Sequence, residues 1–291
     1  MRIHKQGSGL RLPDYRISMD CTGKEEDHLI VSHAHGDHMP RRPAAEKVFA
    51  TLPTARFMEL RGGPDQVNSL EFHESVDLDH VTITLYPAGH ILGSAMIYIE
   101  SDEGNLLFTG DYRTPAAAAT EGFDGPTDVD ILVTEATFGL PIYRWPSHEK
   151  LFNQIRSFAR KALDEGNTPF FLAYNLGKAQ ELMHILAPLN ESVQIHGAGY
   201  KLCPVYEEFN VDLGVYEPYE RDSAKGKILI APSSALSTQF ASHIKDKRIA
   251  YCSGWATLES RRTQLTVDEL IPLSDHLDFF ELIGLCEQLQ P

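Results

Sequence analysis

The sequence predicts a mixed α/β (α+β) protein in which a strand-rich domain is interrupted by an α/β insert. Three observations predict this. The first half reads as short strands separated by tight turns; a β–turn–α unit with further strands occupies roughly residues 144–255; the tail is a strand, a histidine-containing turn and a helix. Period-two alternation marks half-buried strands, short apolar runs mark buried ones, and recurrence every three to four residues marks helices.

In chain order, "RISMD" alternates, "DHLIVSH" is a buried-type strand, and "VTITLYPAGH" alternates and ends in a turn. "SAMIYIES", "NLLFTGD" and "VDILVTEATFG" follow in the same style. Several of these strands end in polar clusters (SHAHGDH, PAGH, TGD, TEATFG), where α/β-type scaffolds usually place their chemistry. After "GLPIYRWPSHEK" the character changes. Residues 147–165 predict a helix, with Ser147 as N-cap, Lys150, Leu151, Ile155 and Phe158 at helical spacing, and "DEGN" ending the run. "TPFFLAY" is a strand that leads through "NLGK" into the helix "AQELMHILAPL"; "KILIAPSSAL" and "RIAYCSGWA" are further strands. The expected domains are therefore residues 1–143, an insert over 144–255, and a return to the first domain over 256–291.

Bulk properties narrow the function. With 26 basic and 41 acidic residues the formal charge is −15, which argues against a general basic surface for nucleic acid. It does not exclude nucleic acid, because bound divalent ions put positive charge where a phosphate would sit. The four cysteines, Cys21, Cys203, Cys252 and Cys286, form no C-x-x-C pair, and no signal peptide precedes them, so reduced thiols and a cytoplasmic location are expected. No apolar run approaches the roughly 20 residues that cross a bilayer, so no membrane association is expected.

The chemistry concentrates in "SHAHGDH". His33 and His35 stand two apart at a strand end, so both can face one metal; Asp37 and His38, beyond the turn at Gly36, can face a second. Imidazoles and a carboxylate are the donor set of zinc, with manganese or iron as alternatives. Four such side chains in one tight loop have no shared structural purpose. His90 in "PAGH" and Asp111 in "FTGD" each end a strand after a glycine that leaves room for close packing, and His276 in "LSDHLDF" is a seventh candidate.

His33-x-His35-x-Asp37-His38, followed by His90 and Asp111, resembles the metallo-β-lactamase superfamily, whose fold is a four-layer αββα sandwich with a metal site at one edge. "VTEATFG" and "LSDH" resemble motifs of its β-CASP branch of nucleic-acid-processing enzymes, which carry an inserted cap domain. "TEATFGLPIYRWP", "LAYNLGKAQEL", "SGWA" and "LSDHLDF" resemble bacterial ligase-associated DNA exonucleases, relatives of Artemis and Apollo. The resemblance implies two divalent ions, zinc foremost and manganese as the alternative. One would be held by His33, His35 and His90, the other by Asp37, His38 and His276, with Asp111 bridging. It also implies a catalytic part for Asp37, for His276 and for Glu135, the last an acid that orients a ligand histidine. The implied substrate is DNA, single-stranded or at an end, and the implied partners are an ATP-dependent DNA ligase and a helicase.

For substrate binding, "NLGK" ends a strand and opens a helix, so Gly177 and Lys178 are expected to form a pocket for a terminal phosphate, with Ser253 of "CSGW" beside it. The exonucleases of the Artemis and Apollo group engage a 5′-phosphate, which favours that reading over a capped helix with an exposed lysine. Arg113 and Arg144 are the better candidates among the arginines (Arg41, Arg42, Arg261 and Arg262 are the others) for a path along the phosphate backbone. Tyr143 and Trp145 are candidates for base stacking or for packing at the domain junction. The sequence ends at "CEQLQP", before the strand that carries the last β-CASP motif in relatives, so the DNA assignment rests on the ligase-associated blocks. An RNA-processing nuclease and a small-molecule metallo-hydrolase are the alternative readings.

Overall fold

The computed structural model of the protein describes residues 1–45 and 47–291. The chain divides into two compact units, one of Met1–Gly139 with Phe279–Pro291, the other of Leu140–Asp278.

The first unit contains two sheets. One runs β1 (His4–Gln6), β2 (Gly9–Leu12), β3 (Ile17–Met19), β4 (His28–Ile30), β5 (Lys47–Thr51) and β6 (Asn68–Leu70) in spatial order, antiparallel as far as β3 and parallel from β3 onward. Helix α1 (Leu52–Leu60) follows β5 directly. Thr51 caps it, its Oγ1 accepting from Thr54 N, and Pro53 occupies the first turn, where its missing N–H costs nothing. The other sheet has the order β11 (Ile131–Val133), β10 (Gly104–Phe108), β9 (Ala95–Ser101), β8 (Val81–Pro87), β7 (Ser75–Leu78).

Alternation along these strands explains the layers. Ile97 and Ile99 of β9 join Ile83 and Leu85 of β8 in one core with Leu12, Ile17, Met19, Ile30 and Phe49 of the first sheet. The intervening Met96 and Leu107 face Leu285 and Leu289 of the C-terminal helix on the opposite side. A period-two strand between two apolar partners buries both faces, and the result is the expected αββα sandwich.

Sheet direction also decides where the chemistry sits. β9 runs antiparallel to both β8 and β10, so the C-terminal ends of β8 and β10 share one edge, and β11 runs parallel to β10. Ala95 N donates to the Ser32 carbonyl (2.9 Å), tying the end of β4 to that same edge. At the opposite end of β4, Asp27 locks the strands: it accepts from Arg11 Nε and Nη2 (both 2.7 Å), Ser18 Oγ (2.6 Å) and Lys24 N (2.9 Å). Burial alone would raise the pKa of Asp27, but these hydrogen bonds outweigh it and hold the carboxyl below its usual range.

The second unit is a parallel sheet with helices. It comprises α2 (His148–Asp164), β12 (Thr168–Leu172), α3 (Lys178–Leu186), β13 (Val193–Ile195), α4 (Gly197–Tyr200), α5 (Cys203–Glu208), β14 (Tyr216–Pro218), β15 (Ile228–Ala231), β16 (Lys247–Cys252), α6 (Ser260–Leu265) and β17 (Glu269–Ile271). The sheet order is β14-β13-β15-β12-β16-β17, and all its pairings are parallel. Ser147 caps α2, its Oγ accepting from Lys150 N. α7 (Phe279–Leu289) returns to the first unit. The boundaries at 143/144 and 255/256 are not those at which the units divide. Residues 256–278 stay with the insert because β17 pairs with β16 (Ala250 opposite Glu269), and a three-residue strand has no stability apart from its neighbour. Among the described residues no helix is long and apolar enough to cross a membrane.

Candidate metal centre

The ligand loop begins where β4 ends. Val31 N donates to the Phe49 carbonyl (2.9 Å), and Ser32 N donates to Asp20 Oδ1 (2.7 Å), so the strand end is held from both sides. His38 N and Met39 N both donate to the His35 carbonyl (3.1 and 3.0 Å), folding the run into a tight turn. That turn places His33 and His38 inward and leaves Asp37 outside, with its side chain 74% exposed.

His90 reaches the same place from the turn between β8 and β9, where Ser94 Oγ accepts from His90 N (3.1 Å) and Ile91 N (3.2 Å). Asp111 follows β10. Each has a glycine before it whose replacement would be strained. At Gly89 (φ +71°) a Cβ would lie 2.7 Å from the Arg113 carbonyl, and at Gly110 (φ +53°) it would lie 2.7 Å from Ser32 Oγ.

The rings of His33, His35 and His90 stand mutually edge to face, with centroids 4.8–4.9 Å apart. His90 Nε2 is 3.0 Å from His35 Nδ1. Asp111 completes the group with its two oxygens divided: Oδ2 lies 3.6 Å from His33 Nε2 and 3.7 Å from His90 Nε2, while Oδ1 lies 3.5 Å from His38 Nε2. His33, His35, His90 and Asp111 each present one donor atom, all within 4.8 Å of one another. Ligands about 2.0–2.1 Å from a tetrahedral zinc sit about 3.3 Å apart, so the donor spacing fits an ion. Asp37 lies at the rim, its carboxylate 3.8 Å from His38 Nε2 and its carbonyl accepting from Ser8 Oγ.

Two residues that the sequence did not single out prepare these histidines. Asp20 Oδ2 accepts from His38 Nδ1 (2.8 Å) and from Ser32 Oγ (2.5 Å), and Ser32 Oγ in turn lies 2.9 Å from His33 Nδ1. With the serine proton directed to Asp20, its lone pair accepts the His33 Nδ1 proton. When neutral, both rings carry hydrogen on Nδ1 and turn Nε2 toward Asp111, the tautomer a metal ligand needs. Burial lowers the pKa of His38, but the Asp20 hydrogen bond and the charges of Asp20, Asp111 and Asp37 outweigh it and raise it to about 9. Glu135, at the end of β11, accepts from Tyr112 N (2.9 Å) and so braces the residue next to Asp111.

His276 and the expected substrate residues, apart from Arg113, lie in the second unit. His276 sits after β17, its carbonyl accepting from Trp145 Nε1 (2.9 Å) and Ser274 Oγ (2.9 Å), with Asp275 Oδ1 3.8 Å from its Nε2. Lys178 is not a mobile cation. It is 2% exposed and its Nζ is 2.5 Å from the buried Asp275 Oδ1, because an ammonium removed from water needs a counter-charge. Gly177 N donates to Gln180 Oε1 (3.0 Å), so the start of α3 is closed by its own side chain rather than left for an anion. Ser253 is buried and caps the turn after β16, its Oγ accepting from Trp255 N (3.3 Å). The terminal-phosphate pocket expected from "NLGK" is therefore not formed by these groups. Arg113 is 1% exposed and offers no surface to a phosphate backbone, whereas Arg144 is exposed. Tyr143 and Trp145 are buried and pack together with Trp255, which removes them as base-stacking platforms.

No family model matches the chain. A probable DNA ligase from Opitutus terrae is 30% identical over 290 residues, 99% of this chain and 28% of that protein. An RNase J-like protein from Methanocaldococcus jannaschii is 29% identical over 204 residues, 59% of this chain and 48% of that protein. The chain thus spans about a quarter to a half of the length of these curated relatives. Among solved structures, a protein of unknown function from Enterococcus faecalis V583 superposes with a TM-score of 0.61 at 14% identity, covering 91% of this chain and 73% of that one.

Proposed function

The chain belongs to the metallo-β-lactamase superfamily, in its β-CASP branch, and we propose that it is a two-metal nuclease, a DNA exonuclease working from a 5′ end in repair. The observation that carries the proposal is the division of Asp111. One oxygen faces His33 and His90 while the other faces His38, the placement of a carboxylate shared between two ions. His33, His35 and His90 would hold one ion, and Asp37 and His38 the other, with zinc or manganese suited to the donors. Two such ions would supply the charge that polarises a phosphoryl oxygen and lowers the pKa of water for in-line displacement.

The chain's own residues do the rest. Asp20 and Ser32 fix the His33 and His38 tautomers, Glu135 braces the Asp111 strand end, and exposed Asp37 stands where it can exchange a proton with water. A match over nearly the whole chain within a protein named as a probable DNA ligase supports DNA as substrate and a ligase as partner. The RNase J-like relative supports RNA as the second reading. A cytoplasmic setting is in keeping with four free cysteines.

The test is product analysis with zinc or manganese, using DNA labelled at either end, with and without 5′-phosphate, beside matched RNA. Mononucleotides released from the 5′ end of DNA are expected. Cleavage of RNA alone would replace DNA by RNA, and cleavage of neither polymer would end the nuclease reading.

A further inference from the structure

Arg61, at the end of α1, lies against the ligand loop: its Nη2 is 3.8 Å from the position a Cβ would take at Gly36, the residue between His35 and Asp37. Its Nε is buried without a hydrogen-bond partner among the described residues. Burial and the like charge of Arg41 hold its guanidinium below the usual range, with the Asp37 carboxylate acting in the opposite sense. Arg41 itself is exposed, three residues beyond His38.

An unsatisfied buried guanidinium nitrogen is costly, and the like charge of Arg41 adds repulsion. Asp37 does not settle that charge once it is committed to an ion. In a chain of formal charge −15, an arginine pair beside the ligand loop calls for an external anion. A phosphate offers oxygens that match the planar, charged fork a guanidinium presents.

We propose that Arg61 and Arg41 together clasp a phosphodiester of the substrate strand, one other than the phosphate being hydrolysed. The proposal rests on the nuclease reading and adds a residue that sets its preference for a polymer over a small diester. The ligand cluster around Asp111 takes the scissile group, and the arginine pair, outside that cluster, takes the next.

The experiment compares wild type, Arg61→Gln and Arg41→Gln on a single-stranded decanucleotide and on bis(p-nitrophenyl) phosphate, which has no second phosphate. Binding of the labelled decanucleotide is followed by fluorescence anisotropy, and thermal melting monitors folding. Arg61→Gln is expected to weaken decanucleotide binding and kcat/KM about tenfold or more, mainly through KM. The loss should exceed that on the small diester at least about fivefold, and the log–log salt slope of binding should shrink by about 0.7. Arg41→Gln, on the surface, should move in the same direction by less, which keeps the test informative if Arg61→Gln folds poorly. Equal losses on both substrates, or unchanged binding and salt slope, would overturn the arginine clasp while leaving the nuclease intact. Failure of the wild type to cleave or bind any polymer would remove the nuclease reading and the clasp with it.

Discussion

Asp20 Oδ2 lies 2.8 Å from His38 Nδ1, and the same oxygen takes the Ser32 hydroxyl proton at 2.5 Å. One carboxylate therefore sets the tautomer of His38 directly and that of His33 through Ser32. Groups that orient a ligand in this way typically matter 10–100-fold in metal affinity or activity. Asp20→Asn should weaken zinc or manganese binding by about that factor, with the fold retained, as followed by metal titration beside circular dichroism. Unchanged affinity would reduce Asp20 to a strand-end acid.

Asp111 is the residue whose loss should be felt by both ions. Asp111→Asn, or His35→Ala on one side only, should lower phosphodiester hydrolysis about a thousandfold or more, since several kcal/mol of charge stabilisation are removed. Elemental analysis gives the second readout: bound metal should fall in both variants, further for Asp111→Asn. A fully active variant at either position would exclude that residue from the centre.

Lys178 and Asp275 form a buried ion pair, with side chains only 3% and 4% exposed. Lys178→Ala leaves an uncompensated buried carboxylate and should cost about 3–5 kcal/mol in urea unfolding. The double variant Lys178→Met with Asp275→Leu should recover much of that loss. A single variant as stable as wild type would show that water reaches the pair.

Asp27 provides a pH signature. Its carboxyl is held below the usual range in the folded protein, chiefly by Arg11 and Ser18 against the opposing effect of burial. Its contribution is thus fully present above the ordinary carboxylate pKa of about 4 and is lost as pH falls through the depressed folded value. Asp27→Asn should cost about 2 kcal/mol or more near neutrality. Its stability should also decline less steeply below pH 4 than that of the wild type. Parallel acid-unfolding curves would refute the assignment.

Much of this architecture is legible in local pattern. Alternation in "VTITLYP" and "SAMIYIE" marks β8 and β9, and Ser147 with its helical spacing marks α2, because each signal involves neighbours a few residues apart. The segment "KVFATLPTARFMEL" hides its strand-to-helix change, since β5 passes into α1 without a turn residue between them.

Local pattern reveals which side chains stand at strand ends: the three histidines and the aspartate of residues 33–38, then His90 and Asp111, each behind a glycine. Tertiary structure alone decided which oxygen of Asp111 faces which histidine, that Asp20 reaches His38, and that Lys178 is buried against Asp275 rather than open to a phosphate. Those outcomes depend on strand register, such as Met19 opposite Ile30, and on pairings 18 to 97 residues apart along the chain. Periodicity records only which face of its own element a residue occupies. The partner across a sheet, and the water excluded between them, are fixed when the sheets close over the core.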